Sequence, residues 1–168
     1  MAERPIVKYG DPVLRETSEP VDVVDQDVKN LVSDMVDTLK KAQGLGLAAV
    51  QIGVPKRVFI VDLSAVDLNE TLKIFINPEV IETSGEIELE EGCLSFPGIY
   101  QKVVRPARVM IRATGIDGRR FDLAAQGMAA RAILHEYDHL EGKLFIDFIS
   151  PIARTLLRGR LRKLAAAS

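Results

Sequence analysis

The sequence has one cysteine and two histidines, and a single cysteine excludes a protein stabilised by internal disulfide bonds. Its 168 residues include one cysteine, Cys93, so no intramolecular disulfide can form and an oxidising compartment is not implied. No stretch approaches the roughly 18 consecutive apolar residues of a membrane span. The first residues also lack the apolar segment of a secretory signal. We therefore expect a cytoplasmic protein.

No excess of charge of one sign is present either. The 22 basic and 24 acidic side chains give a net charge of −2, which argues against a protein that coats nucleic acid. A hydrophobic content of 47% and a charged content of 27% are typical of a folded chain and argue against an intrinsically disordered one. The length predicts a single domain over residues 1–168.

Three helices are predicted from the spacing of apolar residues. Between residues 25 and 42 they recur at helical spacing among polar residues, and Gly44 stands where a helix C-cap glycine is expected. A second helix, from about 123 to 141, is apolar on most sides and should be buried. A third, basic helix follows Pro151 and extends over residues 151–168.

The middle of the chain is typical of β-structure. Short segments rich in β-branched residues or alternating in polarity predict strands at residues 57–63, 72–77, 86–90, 103–105 and 108–113. A turn is expected at Asp117-Gly118. Strands grouped in this way with flanking helices predict an α+β fold. We expect small, mostly antiparallel sheets packed around the buried central helix, with an amphipathic N-terminal helix and a C-terminal helix.

The central helix contains the sequence His135-Glu136-Tyr137-Asp138-His139, which has the form HExxH. Residues four apart lie on one helix face, so both imidazoles can bind one metal ion. Glu136 would then lie beside a metal-bound water and could take its proton. The alternative is a structural helix with two polar surface residues. Burial of the helix favours the metal site, because buried histidines need partners.

A third ligand is expected, since catalytic sites of this kind usually have three protein ligands. In the longer pattern HExxHxxGxxH the third histidine position is occupied by Phe145, and the downstream acids Glu141 and Asp147 are not at a suitable spacing. The ligand should therefore lie upstream, where Cys93 is the best candidate because thiolates bind such ions strongly. The alternative for Cys93 is an inert buried thiol.

Three segments together carry a family resemblance. Glu91-Gly92-Cys93-Leu94-Ser95, the segment HEYDHLEG that begins at His135, and GLGLAAVQ at residues 44–51 resemble the three signature motifs of peptide deformylase, in the same order. Further similarity at residues 11–15, 76–78 and 144–147 extends the resemblance over nearly the whole chain. It implies a metal-dependent hydrolase that removes the N-formyl group from the N-terminal formyl-methionine of newly made polypeptides and releases formate.

The resemblance also implies roles for particular residues. Cys93, His135 and His139 would bind one divalent ion, with Fe²⁺ the expected metal in the cell, although this donor set also suits Zn²⁺, Ni²⁺ and Co²⁺. Glu136 would act as general base and then as general acid.

Two further groups would stabilise the negative oxygen of the tetrahedral intermediate. The resemblance assigns this role to the side-chain amide of Gln51 and the backbone N–H of Leu94. Because Leu94 follows a candidate metal ligand, its amide should lie close to the ion.

The segment Gly44-Leu45-Gly46 could be mistaken for a dinucleotide-binding fingerprint. It follows a helix rather than a strand, so we expect no nucleotide cofactor. By resemblance it is a tight loop whose backbone, at Gly46, hydrogen-bonds an extended peptide substrate.

An apolar pocket for the substrate methionine is expected beside the metal. Met128 and Ala132 share the helix face of His135, and we expect them to form its wall with Leu45 and Tyr100. Ordinary core packing is the alternative.

Leu134 and Asp138 each adjoin one of the two histidines in the sequence. Leu134 stands where the family usually has glutamine before the first histidine, so a hydrogen bond to the ligand shell is missing or replaced. Asp138 lies on another helix face and should pair with a basic residue such as Arg105.

The final segment contains Arg154, Arg158, Arg160, Arg162 and Lys163 and no acid. The resemblance implies that this helix contacts ribosomal RNA; the alternative is a solvated helix face.

Three other functions are each compatible with part of this sequence. A metallopeptidase is disfavoured by Phe145, and a cysteine hydrolase using Cys93 with a histidine would need no metal. A catalytically silent binding module would have no physical need to keep Glu136, Cys93 and both histidines.

Overall fold

The computed structural model describes residues 2–167 of the chain. It contains three α-helices: α1 (Gln26–Ala42), α2 (Gly127–Leu140) and α3 (Pro151–Ala166). All three predicted helices are therefore present. The predicted C-terminal helix ends two residues early, and Ser168 lies outside the described residues.

Seven strands form two sheets in which every strand pair is antiparallel. The larger sheet has the order β1-β2-β3-β6-β7, and the smaller one pairs β4 with β5. The α+β class and the small antiparallel sheets are as predicted. The strands are β1 (Gly46–Ala48), β2 (Val58–Asp62), β3 (Leu72–Ser84), β4 (Ile87–Gly92), β5 (Tyr100–Arg105), β6 (Arg108–Thr114) and β7 (Arg120–Gln126).

Helix α1 has the predicted amphipathic pattern but a different end. Asp25 is the N-cap, and its carboxylate accepts a hydrogen bond from the Val28 N–H at 3.0 Å. At the other end Gln43, not Gly44, adopts the left-handed conformation, with φ of 56°. The prediction of a Gly44 C-cap is therefore wrong. A Cβ at Gly44 would lie 2.7 Å from the Leu94 side chain, so close packing accounts for this glycine.

The predicted start of α2 is also wrong, because residues 123–126 belong to strand β7. Along β7 the burial alternates between half-buried and exposed residues, and the strand pairs with β6 throughout its length. The alternation has a period of two, which the run of small apolar residues around Ala124 hides in the sequence. The helix begins at Gly127, whose φ of 59° makes the turn out of the strand.

Strand β3 is longer than predicted. It continues past Asn77-Pro78 to Ser84, with an irregular register against β6 between Ile76 and Glu79. A proline inside a strand normally argues for its end, and here the irregularity accommodates it.

Helix α2 packs between the two sheets. Its apolar residues Ala130, Ile133 and Leu134 join a buried cluster with β2, β3 and β6, in which Phe59 and Phe75 stack with centroids 4.6 Å apart. Its polar side reaches the β4–β5 sheet through hydrogen bonds from Arg131. A buried helix between sheets is what its apolar composition predicts.

Helix α3 packs on a separate cluster. Leu157 and Leu161 are buried with Phe96 and Phe145, while most of the helix's basic side chains face outward. Across residues 2–167, no helix has both the length and the apolar composition needed to cross a membrane.

Candidate active site

The two histidines lie where the α2 periodicity places them. His135 and His139 are both buried, one helical turn apart, with ring centroids separated by 5.1 Å. Burial and the charge of His135 lower the pKa of His139, which favours the neutral ring that binds a metal ion.

Cys93 reaches the same place from a different part of the chain. It follows β4 directly, and the Phe96 N–H donates to its carbonyl at 2.9 Å, which closes a tight turn. The turn brings Sγ to 3.5 Å from Nε2 of His139. One ligand atom from each of Cys93, His135 and His139 lies within 4.8 Å of the others. The structure thus brings together three side chains that are far apart in the sequence.

Glu91 is a part of the site that sequence reasoning missed. Its buried carboxylate accepts a hydrogen bond from Nδ1 of His135 at 2.5 Å, which leaves Nε2 of that ring free to bind a metal. A signal for it does exist in the sequence. Glu88 and Glu90 lie on the exposed face of β4, with Glu86 just before the strand in the same phase, and Glu91 is out of phase with them.

Two guanidinium groups neutralise the Glu91 carboxylate. Arg105 donates to both of its oxygens at 2.7 Å, and Arg131 donates to Oε1 at 2.7 Å. Burial alone would raise the pKa of Glu91, but the hydrogen bonds from Arg105 and His135 hold it well below its ordinary value. Glu91 is therefore ionised and can fix the orientation of His135.

Glu136 has the opposite environment. It is 5% exposed, and its Oε1 has no hydrogen-bond partner among residues 2–167. Burial raises its pKa to about 7. A buried carboxylate without a protein partner, with a pKa near neutrality, is suited to accepting and returning a proton.

Gln51 is held firmly beside the sulfur of Cys93. Its Oε1 accepts from the Ala48 N–H at 2.9 Å, and its Nε2 donates to Ser95 Oγ at 3.1 Å while lying 3.6 Å from Sγ of Cys93. Leu94 occupies a middle position of the turn that begins at Cys93, and its side chain is half-buried. Ser95, which is fully buried, is a second residue that sequence reasoning missed.

A cavity of about 540 Å³ opens onto these groups. All of the predicted site residues line it except His139, which is buried. The lining residues predicted from the sequence are Leu45, Gly46, Gln51, Cys93, Leu94, Tyr100, Met128, Ala132, His135 and Glu136.

The predicted loop is present at Gly44 and Leu45 but ends before Gly46. Gly46 begins β1, which lies at the edge of the five-stranded sheet and pairs only with β2 among the described strands. An edge strand beside the cavity presents backbone groups on its unpaired side.

Asp138, Leu134 and Phe145 lie near the two histidines and have structural contacts. Asp138 accepts a hydrogen bond from Nη1 of Arg105 at 2.7 Å, which confirms the predicted pair. Leu134 is buried in the apolar cluster, so its side chain contributes to core packing and offers no hydrogen bond to the histidines. Phe145 is buried against Phe96, with ring centroids 5.0 Å apart, and supplies no ligand.

Comparison with known proteins agrees with this geometry. The sequence matches the polypeptide deformylase family over residues 3–155. A peptide deformylase of Acidobacterium capsulatum is 45% identical over 167 residues, covering 99% of this chain and 98% of that protein. One from Azotobacter vinelandii is 46% identical over 164 residues, covering 97% of this chain and 96% of that protein.

Solved structures give the same result. The crystal structure of a Legionella pneumophila peptide deformylase superimposes with a TM-score of 0.89 and 41% identity, covering 96% of this chain and 95% of that one. A Plasmodium falciparum peptide deformylase superimposes with a TM-score of 0.89 and 40% identity over the same shares. By sequence and by structure, this chain belongs to the polypeptide deformylase family.

Proposed function

We propose that Cys93, His135 and His139 hold one divalent metal ion, and that Glu136 moves the protons in the reaction. As a member of its family, the chain removes the N-formyl group from the N-terminal formyl-methionine of newly made polypeptides and releases formate. The observation that carries the assignment is the convergence of one sulfur and two ring nitrogens within 4.8 Å, beside the cavity.

The residues present fit a metal ion. One thiolate and two imidazoles are a donor set used for Zn²⁺, Fe²⁺, Co²⁺ and Ni²⁺. The hydrogen bond between Glu91 and Nδ1 of His135 is the usual outer support of a metal-binding histidine. When bound, the ion supplies a Lewis acid that polarises the formyl carbonyl and lowers the pKa of water. Among these metals we propose Fe²⁺ in the cell, as the family implies.

Glu136 carries the proton in both halves of the reaction. Its carboxylate takes a proton from the attacking water and later gives it to the departing amine, which leaves formate and a free N-terminus. Its pKa of about 7 suits both transfers, because a group titrating near the working pH both accepts and donates readily.

Gln51 and Leu94 stabilise the negative oxygen that forms at the formyl carbon. The Gln51 amide is held by Ala48 and Ser95, so it is preorganised and costs little reorganisation during the reaction. The Leu94 N–H lies in the turn next to the ligand Cys93, where a donor can reach the same oxygen.

The substrate binds as an extended chain beside β1. Gly46 at the sheet edge hydrogen-bonds the peptide backbone by strand addition. The methionine side chain occupies the part of the cavity lined by Leu45, Met128, Ala132 and Tyr100.

Anaerobic formate release from formyl-Met-Ala-Ser, with metal analysis of the same sample, tests the assignment. We expect about one equivalent of metal and steady turnover. Glu136→Gln should keep the metal and lose about 10²–10⁴-fold in kcat. Cys93→Ala should lose metal and activity together. Full activity of metal-free protein would instead support a cysteine hydrolase.

We also propose that α3 contacts ribosomal RNA. The side chains of Arg158, Arg162 and Lys163 are exposed and form no hydrogen bond or ion pair within residues 2–167, whereas the side chains of Arg154 and Arg160 bond to backbone carbonyls. Three free cations on one helix suit contacts to phosphates.

Sedimentation with ribosomes tests this contact. Because Leu157 and Leu161 are buried, removing α3 would expose part of the core, and Arg158→Glu with Arg162→Glu is the cleaner variant. We expect it to abolish salt-dependent binding, while Arg112→Glu on the sheet leaves binding unchanged. Equal binding by the α3 variant would contradict the proposal.

A further inference from the structure

The candidate metal ligands come from two parts of the fold that share no strand pairing. Cys93 follows β4 in the two-stranded sheet, whereas both histidines are on α2. Among the described strands, β4 and β5 pair only with each other and not with the five-stranded sheet. The separation between the sulfur and the two imidazoles therefore depends on the side chains that join the β4–β5 sheet to α2.

Arg131 makes the most extensive of these connections. It lies on α2 four residues before His135 and is 2% exposed. Its Nη2 donates to the carbonyl oxygens of Ile87 and Val103, both at 2.8 Å. Ile87 is on β4 and Val103 is on β5, so one planar guanidinium group fastens both strands to the helix.

The same guanidinium group also acts on the support of a ligand. Its Nη1 donates to Oε1 of Glu91 at 2.7 Å, and the other oxygen of Glu91 bonds to Nδ1 of His135. Arg131 is thus connected to Cys93 through β4 and to His135 through Glu91. It also lines the cavity, next to Ala132.

Arg105 is a second cation in this network, with a different role. Its side chain, which extends from β5, pairs with both oxygens of Glu91 and with Asp138 on α2, but donates to no β4 or β5 carbonyl within residues 2–167. Removal of Arg131 therefore leaves the Glu91 carboxylate still paired with Arg105. This makes Arg131 the connection that can be removed without leaving a buried charge unpaired.

We propose that Arg131 is a positioning residue for the metal centre: by docking β4 and β5 onto α2 it sets the separation between the Cys93 sulfur and the two imidazoles. The inference rests on the proposed ligand set. Without Arg131, two strand carbonyls lose their donors, and the polar connections between the β4–β5 sheet and α2 are reduced to the Glu91–His135 hydrogen bond and the Arg105–Asp138 pair, while the six-residue ladder between β4 and β5 remains. We expect the chain without Arg131 to fold, but with the Cys93 sulfur displaced from the position in which it binds the ion.

The test measures loss of Co²⁺ from protein purified with Co²⁺, using a competing chelator and the thiolate-to-cobalt absorption band. For Arg131→Met we expect the apparent Kd for Co²⁺ to rise by about tenfold or more and the band to weaken. Arg131→Lys, which keeps the charge but has one nitrogen in place of the planar group, should fall between this variant and the native chain. Arg112→Met, on the exposed sheet face, should match the native protein.

Circular dichroism of each variant separates misfolding from a local change. A folded Arg131→Met protein with native Kd and native band intensity would overturn the inference; if that variant does not fold, the same two measurements on Arg131→Lys decide. Cys93→Ala tests the ligand set itself. If Cys93→Ala keeps the band, the proposed ligands are wrong; if it loses the band and the Arg131 variants keep it, only the positioning role fails.

Discussion

Gly46 lies so close to Glu136 that a Cβ at this position would come 2.8 Å from Oε2 and 2.9 Å from Cγ of the glutamate. Glu136 is buried and cannot swing away into solvent. The absence of a side chain at Gly46 therefore determines where the Glu136 carboxylate can lie.

Gly46→Ala should consequently displace Glu136 and lower kcat. A shift of about 1 Å in a catalytic group costs on the order of 100-fold in rate. Formate release at saturating substrate measures the effect, and metal content should stay at the native level. Gly159→Ala is the matched control, since a Cβ there meets nothing within 4 Å. Native kcat in Gly46→Ala would show that Glu136 tolerates the contact.

Ala132→Phe should fill the proposed methionine pocket. Ala132 is buried and lines the cavity, so a phenyl ring there would occupy the space assigned to the substrate side chain. An overpacking cost of about 1–3 kcal/mol that falls on substrate binding corresponds to a rise in KM of about 5- to 150-fold for formyl-Met peptides. A formyl-Ala peptide, which needs less room, should lose less. Equal losses for both substrates, or unchanged kinetics, would reject the pocket assignment.

Asp138→Ala should lower stability more than activity. The variant leaves Nη1 of the buried Arg105 without its partner, at a cost of about 1–3 kcal/mol, while Arg105 keeps both bonds to Glu91. Urea unfolding measures the loss, and kcat should remain near the native value. A variant of native stability would argue against a structural role for the Asp138–Arg105 pair.

The ion pair between Arg15 and Asp147 should make stability depend on pH. Partial burial would raise the pKa of Asp147, but the Arg15 hydrogen bond and the Leu144 N–H lower it below 3.8. A carboxyl group with a lowered pKa stabilises the folded state above its unfolded pKa, and this contribution is lost as the pH falls through the folded pKa.

Asp147→Asn should therefore lower Tm at pH 7, and the difference from the native protein should shrink as the pH falls below about 4. Thermal unfolding of both proteins across this range measures it. Asp122→Asn, at an exposed pair with Arg112, is the control and should change Tm little at any pH. A difference that does not vary with pH would contradict the assignment to the Asp147 charge.

The elements that sequence reasoning located well are those set by local spacing. The four-residue interval between His135 and His139 places two rings on one face of any α-helix, whatever surrounds it. The amphipathic repeat of α1 and its Asp25 cap are equally local. Donor chemistry made Cys93 the best candidate for a third ligand, the resemblance to the family motifs implied the same, and the structure brings its sulfur to the histidines.

The errors arose where local pattern is ambiguous. The segment around Ala124 reads as helix because small apolar residues suit either structure, and only pairing with β6 makes it a strand. The same applies to Asn77-Pro78, which looks like a strand end until β3 is seen to continue past it. Pairing between distant strands decides both cases, and spacing along one segment does not contain that information.

Burial of charge depended entirely on tertiary structure. The strand phase of Glu91 indicates that it is buried, but nothing local shows that Glu91 is ionised while Glu136 has a raised pKa, since both are glutamates within motifs. Packing put two guanidinium groups and a histidine around one and left the other without a protein partner, which drives their pKa values in opposite directions. Desolvation and charge pairing are properties of the assembled core, so the chemical difference between the two carboxylates appears only when the chain has folded.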